Sequence, residues 1–116
     1  MKKFTIEDYE ETREYGGLVK IYISKSVGSE MKAGTIELQP GESLIKDIHD
    51  NDEIYYVIEG SIKVESPGKE PIIAVKGEMV QIPAKEVHYA NNPGNSSTKI
   101  FWCFLDPESN RKQDMF

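Results

Sequence analysis

The stretch Asp47-Ile48-His49-Asp50-Asn51-Asp52-Glu53 sets one of the chain's two histidines among four carboxylates, just ahead of Ile54-Tyr55-Tyr56-Val57-Ile58, which is apolar on both faces. Successive side chains of an extended segment alternate, so Asp47 and His49 project to one side. Glu53, at an even offset, returns to that side after the Asp50-Asn51-Asp52 turn. His88, the second histidine, falls in a separate strand and can supply a fourth ligand from a facing wall. Imidazole nitrogen combined with carboxylate oxygen suits Mn, Fe, Ni, Zn or Cu better than Ca or Mg. The chemistry these residues could do is that of a divalent transition metal.

Such a site needs a rigid frame, and the pattern of the chain supplies strands. Val19, Ile21 and Ile23 alternate with Lys20, Tyr22 and Ser24, the mark of a half-buried strand. Further strands are predicted over 31–39, 53–59, 61–66, 71–75, 79–82, 87–91 and 98–105. Pro40-Gly41, Glu59-Gly60, Pro67-Gly68, Lys76-Gly77 and Asn92-Pro93-Gly94-Asn95 punctuate them. With no helix-length segment between these strands, the fold class is all-β, an antiparallel sandwich or barrel. Ahead of them, residues 5–15 read as one short helix or as an arm that pairs as a strand. Thr5 would be the N-cap, Asp8 would complete an acidic capping box, and Phe4 and Tyr9 would form a hydrophobic staple. The polar tail after Pro107 is expected to fray.

The 116 residues leave room for one hydrophobic core, so a single domain is expected over 1–116. A net charge of -6 opposes a nucleic-acid surface, which needs clustered Lys and Arg. No apolar run approaches the roughly 20 residues of a membrane helix. Acidic residues follow Met1-Lys2-Lys3-Phe4 where a secretory signal would be apolar, and the one cysteine, Cys103, has no internal partner. A reducing cytoplasm is the expected compartment, with no nucleic acid or membrane as partner.

Gly41, Asp47, His49, Glu53 and Gly60, separated by five, one, three and six residues, resemble the first motif of the cupin superfamily. Gly77, Pro83, His88 and Asn92, separated by five, four and three, resemble the second, with Lys85 where a glycine is common. The resemblance spans about residues 31–105, and its gap of sixteen residues between Gly60 and Gly77 is similar to that of small bacterial cupins. It implies a double-stranded β-helix, or jelly-roll barrel, holding one metal, often in a homodimer. In that family the Asp47 position is usually histidine. If Asp47 ligates, two carboxylates and two imidazoles leave a divalent site with zero net charge. If it turns away, His49, Glu53 and His88 remain as the facial arrangement with open positions that non-haem Fe(II) oxygenases use. Asp47 is expected to ligate, which would favour Mn or Fe.

Tyr55 shares strand parity with Glu53, and Gln81 stands at a position that in similar cupins tends to face inward, so both are placed on the substrate-pocket wall. Trp102 would either cap the pocket or pack in the core. Together these residues imply a metal enzyme acting on a small polar metabolite with oxygen atoms able to chelate the metal. A dioxygenase would use open cis positions, and a lyase or isomerase would use the metal as a Lewis acid beside a general base such as Tyr55. The alternative is a non-catalytic cupin that binds or senses a small ligand.

Overall fold

The computed structural model describes residues 1, 3, 5, 9–23 and 32–105. Nine strands account for the regular structure of the described residues: β1 (Glu10–Thr12), β2 (Leu18–Ile23), β3 (Lys32–Leu38), β4 (Glu53–Glu59), β5 (Ser61–Glu65), β6 (Ile72–Val75), β7 (Met79–Ile82), β8 (Tyr89–Asn91) and β9 (Thr98–Phe104). They form a six-stranded sheet in the order β1-β2-β3-β9-β4-β7 and a three-stranded sheet in the order β6-β5-β8. Every pairing is antiparallel. From β4 onward the chain passes back and forth between the sheets, β4 in the larger, β5 and β6 in the smaller, β7 in the larger, β8 in the smaller and β9 in the larger, as in a jelly roll.

The predicted strands are found where period-two alternation and turn residues placed them. Of the two alternatives for residues 5–15, the helix is not seen among the described residues: Glu10–Thr12 pairs as a strand with β2 through Glu10↔Ile21 and Thr12↔Val19. A short capping signal is worth about 1 kcal/mol, and pairing along an open sheet edge outweighs it. Phe4 and Asp8, named for the staple and the cap, and the tail beyond Pro107 lie outside the described residues.

Between the sheets lies one apolar cluster that includes Leu38, Val57, Ile62 and Ile100, each fully buried. It contains the inward-facing positions of both sheets: Tyr55 and Val57 of β4, Ile62 and Val64 of β5, Val80 and Ile82 of β7, Ile100 and Trp102 of β9. Gly60 turns β4 into β5 at φ +81°, and a Cβ there would lie 2.9 Å or less from Thr98 and the Ser97 carbonyl. That turn accepts glycine and little else.

The three-stranded sheet is extended toward one end of the barrel by an irregular run. Residues 43–47 lie antiparallel to 88–91 through the bridges Ser43↔Asn91 and Asp47↔His88. The backbones of Asp47 and His88 exchange two hydrogen bonds of 2.9 and 3.0 Å. The first and second motifs are thereby tied together at the backbone.

Candidate metal centre

Glu53 begins β4 and points inward, the only carboxylate among the buried described residues, at 4 % exposure. His88, at 3 %, precedes β8 and shares inward parity with Ala90 and Asn92. His49, half-buried, reaches over from the loop before β4. The three offer ligand atoms that all lie within 4.8 Å of one another.

The hydrogen bonds fix the tautomers. His49 Nδ1 lies 3.0 Å from the Asn51 carbonyl, and His88 Nδ1 lies 2.9 Å from that of Glu86. A carbonyl can only accept, so each Nδ1 carries a proton and, in the neutral ring, each Nε2 presents a lone pair. Both Nε2 atoms sit 3.1 Å from the same oxygen, Glu53 Oε1. Three lone-pair donors therefore converge, a repulsive arrangement unless a cation joins them. Protons are one solution. The hydrogen bond to Glu53 raises the pKa of His49 above its ordinary value against partial opposition from burial. Burial pulls His88 the other way, yet its bonds to Glu53 and the Glu86 carbonyl and the nearby carboxylate charge leave it raised.

A divalent transition ion is the other solution, and the donor set fits it. Two neutral imidazoles and one carboxylate give the nitrogen and oxygen mixture such ions take, and the backbone carbonyls behind both rings are the outer support that ligating histidines use. With a divalent ion the three groups would leave a net charge of +1.

Neighbouring loops hold the ligands in place. The Lys85 amide donates to the His49 carbonyl at 2.7 Å, and the Ala84 amide to Asp52 Oδ1 at 2.8 Å. Asn51 Nδ2 donates to the Leu105 carbonyl at 2.8 Å, while the Leu105 amide donates to the Asp52 carbonyl at 2.9 Å. Lys85 adopts φ +67°, a left-handed conformation unusual for a side chain with a Cβ, at the position where the motif commonly has glycine. The Phe104 ring packs 4.4 Å from that of His49, centroid to centroid.

The cluster opens onto a cavity of about 250 Å³. Its wall includes Tyr55, Trp102, Phe104 and Tyr89, with the more exposed Tyr15 and Lys32. Tyr55 and Trp102, named for a pocket wall, both line this cavity, and Trp102 also belongs to the buried apolar cluster. Asp47 lines the same cavity, but the gathered group of three does not include it. Its side chain is exposed, and Oδ1 accepts the Ile48 amide at 2.8 Å. Gln81 is not on the cavity wall. It pairs with Ile54 on the outer face of the sheet and is exposed, because Val80 and Ile82 take the inward positions of β7. Phe104 and Lys32 were not anticipated, although Phe104 shares parity with Trp102. Both pair across the sheet on the row of Glu53, through Glu53↔Phe104 and Lys32↔Phe104.

Family comparison agrees with this architecture. The chain belongs to the cupin domain family, whose model matches residues 34–104. Its fold is similar to that of a cupin 2 conserved barrel domain protein from Salinispora arenicola, with a TM-score of 0.75 and 17% identity over 91% of this chain and 89% of that one. It is also similar to a predicted oxalate decarboxylase from Thermotoga maritima, with a TM-score of 0.72 and 21% identity over 90% and 98% of the two chains. A third likeness is to a protein ascribed to ethanolamine utilization, protein Q, from Salmonella typhimurium, with a TM-score of 0.66 and 24% identity over 77% and 68%. At these identities the likeness is one of fold. No curated protein matches the chain in sequence. Among the described residues no helix is long and apolar enough to cross a membrane.

Proposed function

We propose that the protein is a metal-dependent cupin that binds one divalent transition ion through His49, Glu53 and His88 and acts on a small polar metabolite presenting oxygen atoms to it. The observation that carries this reading is the convergence of two Nε2 lone pairs on one Glu53 oxygen at a cavity wall. When bound, the metal would supply Lewis acidity and, for a redox ion, electron transfer. The protein's part is to orient the ligands through backbone carbonyls, to hold the substrate in a cavity of about 250 Å³, and to keep bulk water from its buried side.

The cavity, of about 250 Å³ and open at its mouth, suits a small metabolite. A small dicarboxylate, the kind of substrate implied for the Thermotoga protein by its predicted activity, fits such a space and chelates through oxygen. Lyase, decarboxylase or dioxygenase chemistry all suit three protein ligands with open positions.

Elemental analysis of protein purified without added metal tests the reading. Wild type should carry about one divalent transition ion per chain, and the His49→Ala, His88→Ala double variant almost none. Equally low metal in both would remove the proposal.

A further inference from the structure

Buried polar side chains in this barrel have partners. Asn92 donates to the Leu38 and Ser96 carbonyls, the Thr98 hydroxyl donates to the Ser61 carbonyl, and Trp102 Nε1 donates to the Thr35 carbonyl. Glu53 and His88 bond to each other. Tyr55 is the exception: it is 3 % exposed, yet no group among the described residues bonds its hydroxyl. A buried, unbonded hydroxyl costs about 1–3 kcal/mol, so its presence needs a reason.

Its surroundings supply one. Tyr55 lies two residues beyond Glu53 on the same face of β4, on the wall of the cavity that holds the three candidate ligands. It is within electrostatic reach of both the Glu53 and Asp47 carboxylates. A ligand held by the three candidate ligands would therefore share the cavity with a phenol whose hydrogen has no acceptor among the described residues.

We propose that the hydroxyl of Tyr55, a buried cavity-wall residue whose hydroxyl has no bond among the described residues, donates a hydrogen bond to an oxygen of the bound ligand and so selects small acids that carry a second oxygen beside their carboxylate. Such a ligand can give two oxygens to the metal and still offer a lone pair to the phenol. Lys32, on the same cavity, adds a cation suited to the acid's charge, and the carboxylate of Asp47 opposes it in part. The hydroxyl is thus a specificity element, and the proposal rests on the metal-binding reading above.

The test compares wild type with Tyr55→Phe, both loaded with Mn²⁺, which preserves ring and volume and removes only the hydroxyl. Metal content is read first, then affinity by calorimetry for two probes. Glycolate offers a carboxylate and an adjacent hydroxyl; imidazole ligates a metal through one nitrogen and has no second lone pair to offer. The variant should hold as much metal as wild type and melt at the same or a higher temperature, since an unbonded buried donor has gone. Its glycolate affinity should fall roughly tenfold, with that for imidazole unchanged. Unchanged glycolate binding, equal loss for both probes, or a lower melting temperature would overturn the assignment. The last two would show the hydroxyl serving packing or an internal partner. A wild type that takes up no Mn²⁺ would sink the metal reading itself and, with it, this proposal, and that failure is visible before either probe is added.

Discussion

Strand β4 has two faces that reverse the usual arrangement. Its inner face carries Glu53, a charged side chain at 4 % exposure, followed by Tyr55 and Val57. Its outer face carries Ile54, Tyr56 and Ile58, the last two each 39 % exposed. In a monomeric barrel the charge belongs outside and the isoleucines inside. The inner inversion is explained by what converges on Glu53: burying a carboxylate is tolerable when cations or strong donors surround it. The outer inversion has no such internal answer. Tyr56 lies across from Met79 on one side and Phe101 on the other, so three strands join in an apolar row open to solvent. One face gathers ligand atoms that could hold an ion, and the other leaves an apolar row open to solvent.

The outer face gives the largest expected effect. We expect a homodimer that covers the row Met79, Tyr56 and Phe101, and a charge placed in its middle should break it. Desolvating an unpaired charge at such an interface costs about 2–5 kcal/mol, so Tyr56→Glu should turn a dimer at micromolar concentration into a monomer. Light scattering measures this, and a wild type that is already monomeric at those concentrations disposes of the idea. Metal content should not change, because Tyr56 faces away from the cluster.

The inner face answers to pH. In the metal-free protein His49 and His88 are both raised above their ordinary pKa, with Glu53 as the favourable partner of each. A group whose pKa is higher folded than unfolded adds stability that is complete below the unfolded value, about 6.5, and is lost as pH rises through the folded value. The melting temperature of chelator-treated protein should therefore decline as pH rises from about 6 into the alkaline range. Metal requires neutral rings, so loading should add least at low pH and progressively more as pH rises. Thermal melts with and without metal at several pH values test both halves. A metal-free profile that is flat or climbs over that range would mean the two histidines are not held by Glu53.

How much of this could be read beforehand differs by residue. The strands were legible because alternation and turn residues act locally, and Glu53, His49 and His88 were legible because motif spacing and strand parity agreed. Gln81 shows the two disagreeing. Position within the family placed it inward, while the alternation Met79-Val80-Gln81-Ile82 put Val80 and Ile82 inside, and packing followed the alternation. For Glu10–Thr12 the sequence left helix and strand open, because what decides between them is nonlocal, the open edge of β2, which no local capping signal reports. Asp47 illustrates a finer limit. Parity put it on the cavity side, facing the same way as His88 across their bridge, but parity does not report side-chain torsion: its Oδ1 accepts the Ile48 amide, and the gathered ligand atoms do not include it.

The smallest effect concerns the turn that joins the two motifs. Lys85 stands where the motif commonly has glycine and its side chain is exposed, but its backbone is the informative part: at φ +67° its amide donates to the carbonyl of His49. A left-handed conformation costs an L-residue about 1–2 kcal/mol, and glycine avoids that cost. Glycine also widens the unfolded ensemble, which takes back about 0.4–1 kcal/mol. Lys85→Gly should thus stabilise the protein by no more than about 1 kcal/mol in urea denaturation, with metal content unchanged because the amide that supports His49 is retained. Lys85→Ala keeps the strained backbone and should change little. If the glycine variant is less stable than the alanine one, the conformation stores no strain, and the lysine side chain itself must be holding the turn.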